Sequence, residues 1–307
     1  MTKFKILLVI IVYFVIATII YANQYLNKIT PAQNFLILGL DPRDDLLEKT
    51  ETTDTIIYAN LSSNFNSVNL FSLPRDLWFY PISKKINQIY PDTFPNLQKS
   101  FTVIIGQNIN RTIIITTQNL KNISDLVGGI DIYLDSELKD TQYPNQAYID
   151  NPKSDAPMYK TIYYPIGNNH LDSTNITEFV RSRKSSETVT GGGTDLGRII
   201  RQQKLFDALL AKILQIRDPK QLLLLYQYFD KNISHNLSKQ DYLDLGIKIL
   251  PNIKTLKINK INIPTGEDSK TDIIYHPTKF INKQWVFITS TPEYQSLKNF
   301  ISKSLLY

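Results

Sequence analysis

Residues 34–41 read NFLILGLD, residues 54–60 read DTIIYAN and residues 68–76 read VNLFSLPRD. Each is a short apolar run rich in β-branched or aromatic residues and bounded by turn formers or acids. That pattern predicts strands over Asn34–Leu40, Thr55–Asn60 and Val68–Leu73. The charged residues sit at the strand ends: Asp41 closes the first, Asp54 opens the second, and Pro74-Arg75-Asp76 follows the third. The two carboxylates are thereby brought toward one sheet edge.

Working outward, residues Phe94–Gln107 and Thr117–Leu126 read as helices, with strands at Arg111–Thr116 and Ile130–Leu134 between and after them. The alternation predicts an α/β domain with a central mixed β-sheet flanked by helices in α/β/α layers. Between Asp135 and Asn169 the chain is rich in Asp, Asn, Pro and Tyr, and we expect loops with one short strand at Lys160–Tyr164. Beyond it, helices are expected at Asp195–Ile216, Pro219–Phe229 and Lys239–Leu250, a strand at Lys257–Ile263, and a last helix near Pro292–Ser302.

The 307 residues, 42% of them hydrophobic, suffice for a substantial core. Phe4–Ala22 is a nearly unbroken apolar run preceded by Lys3 and Lys5. About 19 residues at 1.5 Å each span a bilayer core, and flanking lysines stay on the cytoplasmic side. Bulky Ile20 stands where signal cleavage needs a small residue, so an uncleaved anchor is preferred to a signal peptide. The expected plan is a cytoplasmic stub and single-pass transmembrane signal anchor over 1–25, a linker over 26–33 and an extracytoplasmic catalytic domain over 34–307.

No cysteine is present, which excludes thiol nucleophiles and thiolate metal sites. The net charge of +6 suits anionic lipid, glycopolymer or nucleic acid alike. Nucleic acid is not the expected partner, because the anchor places the domain outside the cytoplasm and no nucleic-acid-binding motif appears. The three histidines, His170, His235 and His276, lie scattered in polar contexts and read as surface residues.

Asp41 and Asp54 are hard oxygen donors suited to Mg²⁺ or Mn²⁺, although the run Asp44-Asp45-Leu46-Leu47-Glu48 between them reads equally as a solvated acidic loop. Arg75 leaves the sheet behind Pro74 and can fork onto phosphate oxygens, or simply pair with Asp76. Arg181 and Arg183 point to one side if extended and to nearly opposite faces if helical. On the long helix, Asp195, Arg198 and Gln202 share a face with Leu205, Phe206, Leu209 and Ile213, so polar groups continue a core-facing stripe. Gly191-Gly192-Gly193 before it reads as a flexible connection, since no phosphate-loop lysine follows.

In order and spacing, Asp41, Asp54, Ser72-Leu73-Pro74-Arg75-Asp76, Arg181-Ser182-Arg183 and Asp195-Leu196-Gly197-Arg198-Ile199-Ile200-Arg201-Gln202 resemble the LytR-CpsA-Psr family of bacterial envelope proteins, from about Gly39 to Gln203. Lys85-Ile86-Asn87 and Gly128-Gly129-Ile130-Asp131 add to the likeness. The resemblance implies a membrane-anchored phosphotransferase that moves a glycopolymer from a polyprenyl-diphosphate carrier to a peptidoglycan sugar hydroxyl, with Mg²⁺ or Mn²⁺ as cofactor. It implies Asp41 and Asp54 as metal ligands, and Arg43, Arg75, Arg181, Arg183, Arg198, Arg201 and Gln202 as diphosphate ligands. Arg75, Arg181, Arg183 and Asp54 would carry catalysis, and an apolar tunnel for the lipid would lie between sheet and helices. Departures are Leu171-Asp172-Ser173 for Leu-Asp-Gly, no arginine before Asp54, and a long gap from Arg183 to Asp195. A lipid-diphosphate hydrolase and a non-catalytic module binding anionic lipid or polymer are the alternatives.

Overall fold

The computed structural model describes residues 31–40, 52–182, 195–249, 252–268 and 270–306. The expected anchor, together with Asp41, Arg43 and Arg183, lies outside them. Among the described residues no helix is long and apolar enough to cross a membrane.

Strands β1 (Gln33–Leu40), β2 (Thr53–Leu61) and β3 (Ser67–Ser72) form an antiparallel meander at the centre of a six-stranded sheet. Arg111–Thr116 lies parallel to β1, Lys257–Ile261 lies parallel to β3, and the two-residue strand Ser234–His235 closes the edge beyond Arg111–Thr116. The sheet is therefore mixed, as expected. Strand alternation explains how both faces are used. Leu36, Leu38, Ile56, Tyr58 and Phe71 point into a core covered by helices Phe94–Ile105 and Gln295–Ser304. Phe35, Ile57, Ala59, Leu61 and Leu70 point the other way, where Phe206 of the helix Asp195–Gln215 packs on them.

Helix Thr117–Leu126 starts where its cap dictates. Thr116 Oγ1 accepts from the Asn119 amide at 3.1 Å and the Asn119 side chain accepts from the Thr116 amide at 2.9 Å. The helix ends in Gly128-Gly129, both left-handed at φ +76° and +79°. A Cβ on Gly129 would fall 2.1 Å from His170 Nε2. Gly129→Ala is therefore expected to cost about 2 kcal/mol or more from backbone strain plus displacement of His170, whereas Gly128→Ala carries the strain without a clash. Thermal melts of the two variants check the ranking.

The expected strand at Lys160–Tyr164 is present as Tyr159–Tyr164, but the expectation of loops over the rest of Asp135–Asn169 is corrected. Leu138–Pro144 pairs antiparallel with Tyr159–Tyr164, with a register shift between Asp140 and Tyr143, and Ile130–Leu134 pairs with Gly167–Leu171. Leu138, Tyr143, Ile162 and Tyr164 point into a second core. The period-2 signal of the first strand was hidden because the inward position Asp140 is a buried acid.

His235 sits in an aromatic nest, stacked on Phe229 at 5.1 Å. The Leu237 amide donates to Nδ1 at 3.1 Å, so Nε2 carries the hydrogen and faces the Tyr242 hydroxyl at 2.9 Å. Burial holds its pKa below the usual histidine range, against the opposing pull of Asp230. The folded state thus favours the neutral ring. Its contribution is complete above the unfolded pKa of about 6.5 and is lost as pH falls through the depressed folded value. Thermal stability between pH 7 and 5 should fall less in His235→Phe than in the parent.

Candidate active site

β1 and β2 pair Gly39 with Thr55 but Leu40 with Thr53, leaving Asp54 as the extra residue of a bulge. A bulge re-aims a side chain, and here it aims a carboxylate at the sheet edge. Gly39 permits the arrangement, since a Cβ there would meet Thr55 Cβ at 2.9 Å. Asp54 Oδ1 accepts from Arg75 Nη1 at 2.5 Å.

Arg75 belongs to an alternating charge chain. Its Nε lies 3.5 Å from Asp76 Oδ2, and Asp76 Oδ1 receives Lys85 Nζ at 2.7 Å. The Lys85-Ile86-Asn87 motif also grips this turn through the backbone: the Asn87 amide donates to the Arg75 carbonyl at 3.2 Å and the Ile86 amide to the Leu77 carbonyl at 2.8 Å. Both carboxylate oxygens of Asp76 are thus engaged, one by Arg75 and one by Lys85. Of the two sequence readings of Arg75, the structure shows the ion pair with Asp76, and it adds a second pair with Asp54.

Arg181 ends helix Ile176–Arg181, so it is helical, and the chain turns extended only at Ser182. Its Nη2 lies 3.4 Å from Thr117 Oγ1, beside the N-terminus of helix Thr117–Leu126, where backbone amides also favour an anion. Across the opening, the Thr55 hydroxyl donates to Gln202 Oε1 at 2.9 Å. The structure thus gathers Asp54, Arg181 and Gln202 around one opening, with Arg75 bonded to Asp54. Arg201 does not join them. It is only 2% exposed, donates through Nη2 to the Ser182 carbonyl, and Ser182 in turn bonds the buried Asp140 at 2.8 Å. In this place it braces Ser182, the last described residue before Arg183. Asp41, Arg43, Arg183 and the side chains of Asp195 and Arg198 lie outside the described residues. Among the described residues the opening offers a single carboxylate, Asp54, and no trio of metal-ligating side chains gathers there. A cation site would need Asp41 as well.

Behind the opening lies a cavity of about 140 Å³. Ile37, Ile57 and Ile115 of the sheet form one wall, and Leu120, Ile123, Val180, Leu205, Phe206 and Leu209 of three helices form the other. Helix periodicity yields the helical stripe, and the resemblance implies an apolar tunnel between sheet and helices, but the residues of the sheet wall cannot be picked from the sequence. A charged mouth leading into an apolar cavity suits a ligand with an anionic head and an apolar tail.

Residues 19–303 match the LytR_cpsA_psr family. The chain belongs to that family. A curated relative, the polyisoprenyl-teichoic acid–peptidoglycan teichoic acid transferase TagU of Bacillus cereus, is 26% identical over 219 residues, which are 69% of this chain and 62% of the relative. The match therefore spans less than two thirds of the curated protein's length. Among solved structures, TagV of B. subtilis superposes with a TM-score of 0.63 at 17% identity, covering 90% of this chain and 98% of that one. A TagT structure bound to LIIa-WTA superposes with a TM-score of 0.59 at 16% identity, covering 91% and 92%. The mixed sheet flanked by helices is thus the fold of the family.

Proposed function

We propose that the protein is a phosphotransferase that moves a glycan from a polyprenyl-diphosphate carrier to a sugar hydroxyl of peptidoglycan, acting outside the cytoplasmic membrane on a single-pass anchor over residues 1–25. The observation that carries this reading is the union of the Asp54–Arg75, Arg181 and Gln202 mouth with the apolar cavity behind it. The named activity of the TagU relative supports it.

In this reading Arg181 and Gln202 grip the diphosphate at the mouth and the isoprenoid tail fills the cavity. Arg75 is already desolvated and aimed by Asp54 and by the Asp76–Lys85 pair, so it meets developing phosphate charge without reorganising. The acceptor oxygen bonds to phosphorus, the bridging bond to the lipid phosphate breaks, and polyprenyl monophosphate leaves while the hydroxyl proton passes to a site carboxylate. Catalysis is positioning and charge neutralisation, with no covalent intermediate on the protein.

Mg²⁺ or Mn²⁺ is the proposed cofactor, held by Asp54 and Asp41 and supplying neutralisation of diphosphate charge when bound. Calorimetric titration of the full-length protein with Mn²⁺ tests the assignment. Asp54→Asn should weaken Mn²⁺ binding by more than the roughly 10–100-fold that outer-shell losses cost, and unchanged binding would remove Asp54 from the set.

The lipid assignment is tested with a polyprenyl diphosphate carrying a photoreactive group in its tail. Crosslinks should fall on peptides containing Leu205–Leu209 and Leu120–Ile123. Crosslinks confined to the exterior would contradict the reading.

A further inference from the structure

Phe287 packs on the core at the sheet face opposite the cavity, and the segment His276–Phe287 that ends with it presents an exposed aromatic surface. Trp285 is 42% exposed and Phe280 64% exposed. Both are fixed rather than loose: the Trp285 ring packs on His276 at 4.7 Å and edge-on to Phe287 at 4.6 Å, and Phe280 meets His276 at 6.2 Å. His276 is itself tied by Nδ1 to the Val286 carbonyl at 2.9 Å. The tip closes in a tight hairpin, with reciprocal backbone bonds between Ile281 and Gln284 and both central residues, Asn282 and Lys283, left-handed.

The surface is joined directly to the reaction residues. The Phe287 amide donates to the Asp76 carbonyl at 2.9 Å and the Phe287 carbonyl accepts from the Trp78 amide at 2.8 Å. Asp76 is the partner of Arg75. Trp285 stands two residues from Phe287, about 7 Å of extended chain.

The geometry points to this aromatic surface as the acceptor-glycan subsite, with Trp285 and Phe280 as stacking platforms for the sugar that receives the transferred group. The assignment rests on the transfer reading given above. Phosphoryl transfer needs the attacking and leaving oxygens roughly in line. The cavity proposed for the lipid lies on one face of the sheet and Phe287, paired with Asp76, packs on the other, so an in-line hydroxyl would arrive from the Phe287 side. The chemistry agrees. Pyranose rings place C–H faces on rigid aromatic rings and hydroxyls on neutral amides, and the exposed Asn282 beside the rings supplies such a group. A lipid-inserting tip is the competing occupant.

Tryptophan emission reports the site selectively, because the other tryptophan, Trp78, is 2% exposed. The full-length protein in detergent micelles is titrated with a glycan-strand tetrasaccharide of alternating N-acetylglucosamine and N-acetylmuramic acid, and separately with phosphatidylglycerol vesicles. The tetrasaccharide should give a saturable change in emission that disappears in Trp285→Phe. Phe280→Ala should weaken it about tenfold, the weight of one aromatic anchor, with polyprenyl-phosphate binding unchanged in both variants. No Trp285-dependent response to the tetrasaccharide, or a response to vesicles alone, would overturn the assignment. Loss of polyprenyl-phosphate binding in the parent protein would instead count against the transfer reading, so the two failures are distinct.

Discussion

Arg75→Ala is expected to reduce transfer by at least about 10³-fold, with the lipid still bound. A single oriented donor to a developing oxyanion is worth roughly 10²–10³, and an arginine on a transferring phosphoryl group roughly 10³–10⁵. The site is built around this side chain. Asp54 and Asp76 fix it from two directions, and Pro74 and the Lys85-Ile86-Asn87 turn fix its backbone. Arg75→Lys should recover little, because an ammonium keeps the charge but cannot hold Asp54 and Asp76 at once with a planar fork. Single-turnover rates measured with saturating donor check this. Rates near the parent's in both variants would mean that Arg75 is only a structural partner of Asp54.

Ile115→Trp is expected to abolish tail binding while leaving the fold intact. Ile115 lies on the sheet wall of the cavity and is only partly buried, so the larger ring has empty space to enter. The usual 1–3 kcal/mol of overpacking strain is thereby largely avoided. Displacing even four methylene equivalents of tail, at about 0.8 kcal/mol each, weakens binding by roughly 100-fold. Polyprenyl-phosphate affinity and the thermal melt, measured together, separate occlusion from unfolding. Equal affinity in parent and variant would place the tail elsewhere.

The sheet was legible because β1, β2 and β3 are unbroken apolar runs with turn residues between them, a pattern with few readings. Of the hairpin of Leu138–Pro144 with Tyr159–Tyr164, the second strand was legible and the first was not, because its inward position Asp140 is a buried acid. Of the residues that motif spacing singles out, Asp54, Arg181 and Gln202 line one opening, with Arg75 paired to Asp54. What spacing could not supply was direction. Helix periodicity says which residues share a face but not that Arg201 turns back onto the Ser182 carbonyl. Nor does a row of isoleucines announce that the helix opposite stands away from it. The β-bulge at Asp54 is similarly invisible in sequence, since one unpaired residue is a property of the pairing with β1. The aromatic surface at Trp285 and Phe280 escaped notice because it lies some 80 residues beyond the last motif, and only the Asp76–Phe287 pairing brings it back.

The most direct test of transfer uses the full-length protein in detergent micelles with a synthetic polyprenyl-diphosphate saccharide, Mg²⁺ and a peptidoglycan oligomer, with products read by mass spectrometry. We expect the oligomer to gain the saccharide phosphate and polyprenyl monophosphate to appear in equal amount. Saccharide phosphate released free with the oligomer unmodified would mean hydrolysis, and intact lipid that stays bound would mean a binding module. Either result would contradict the account.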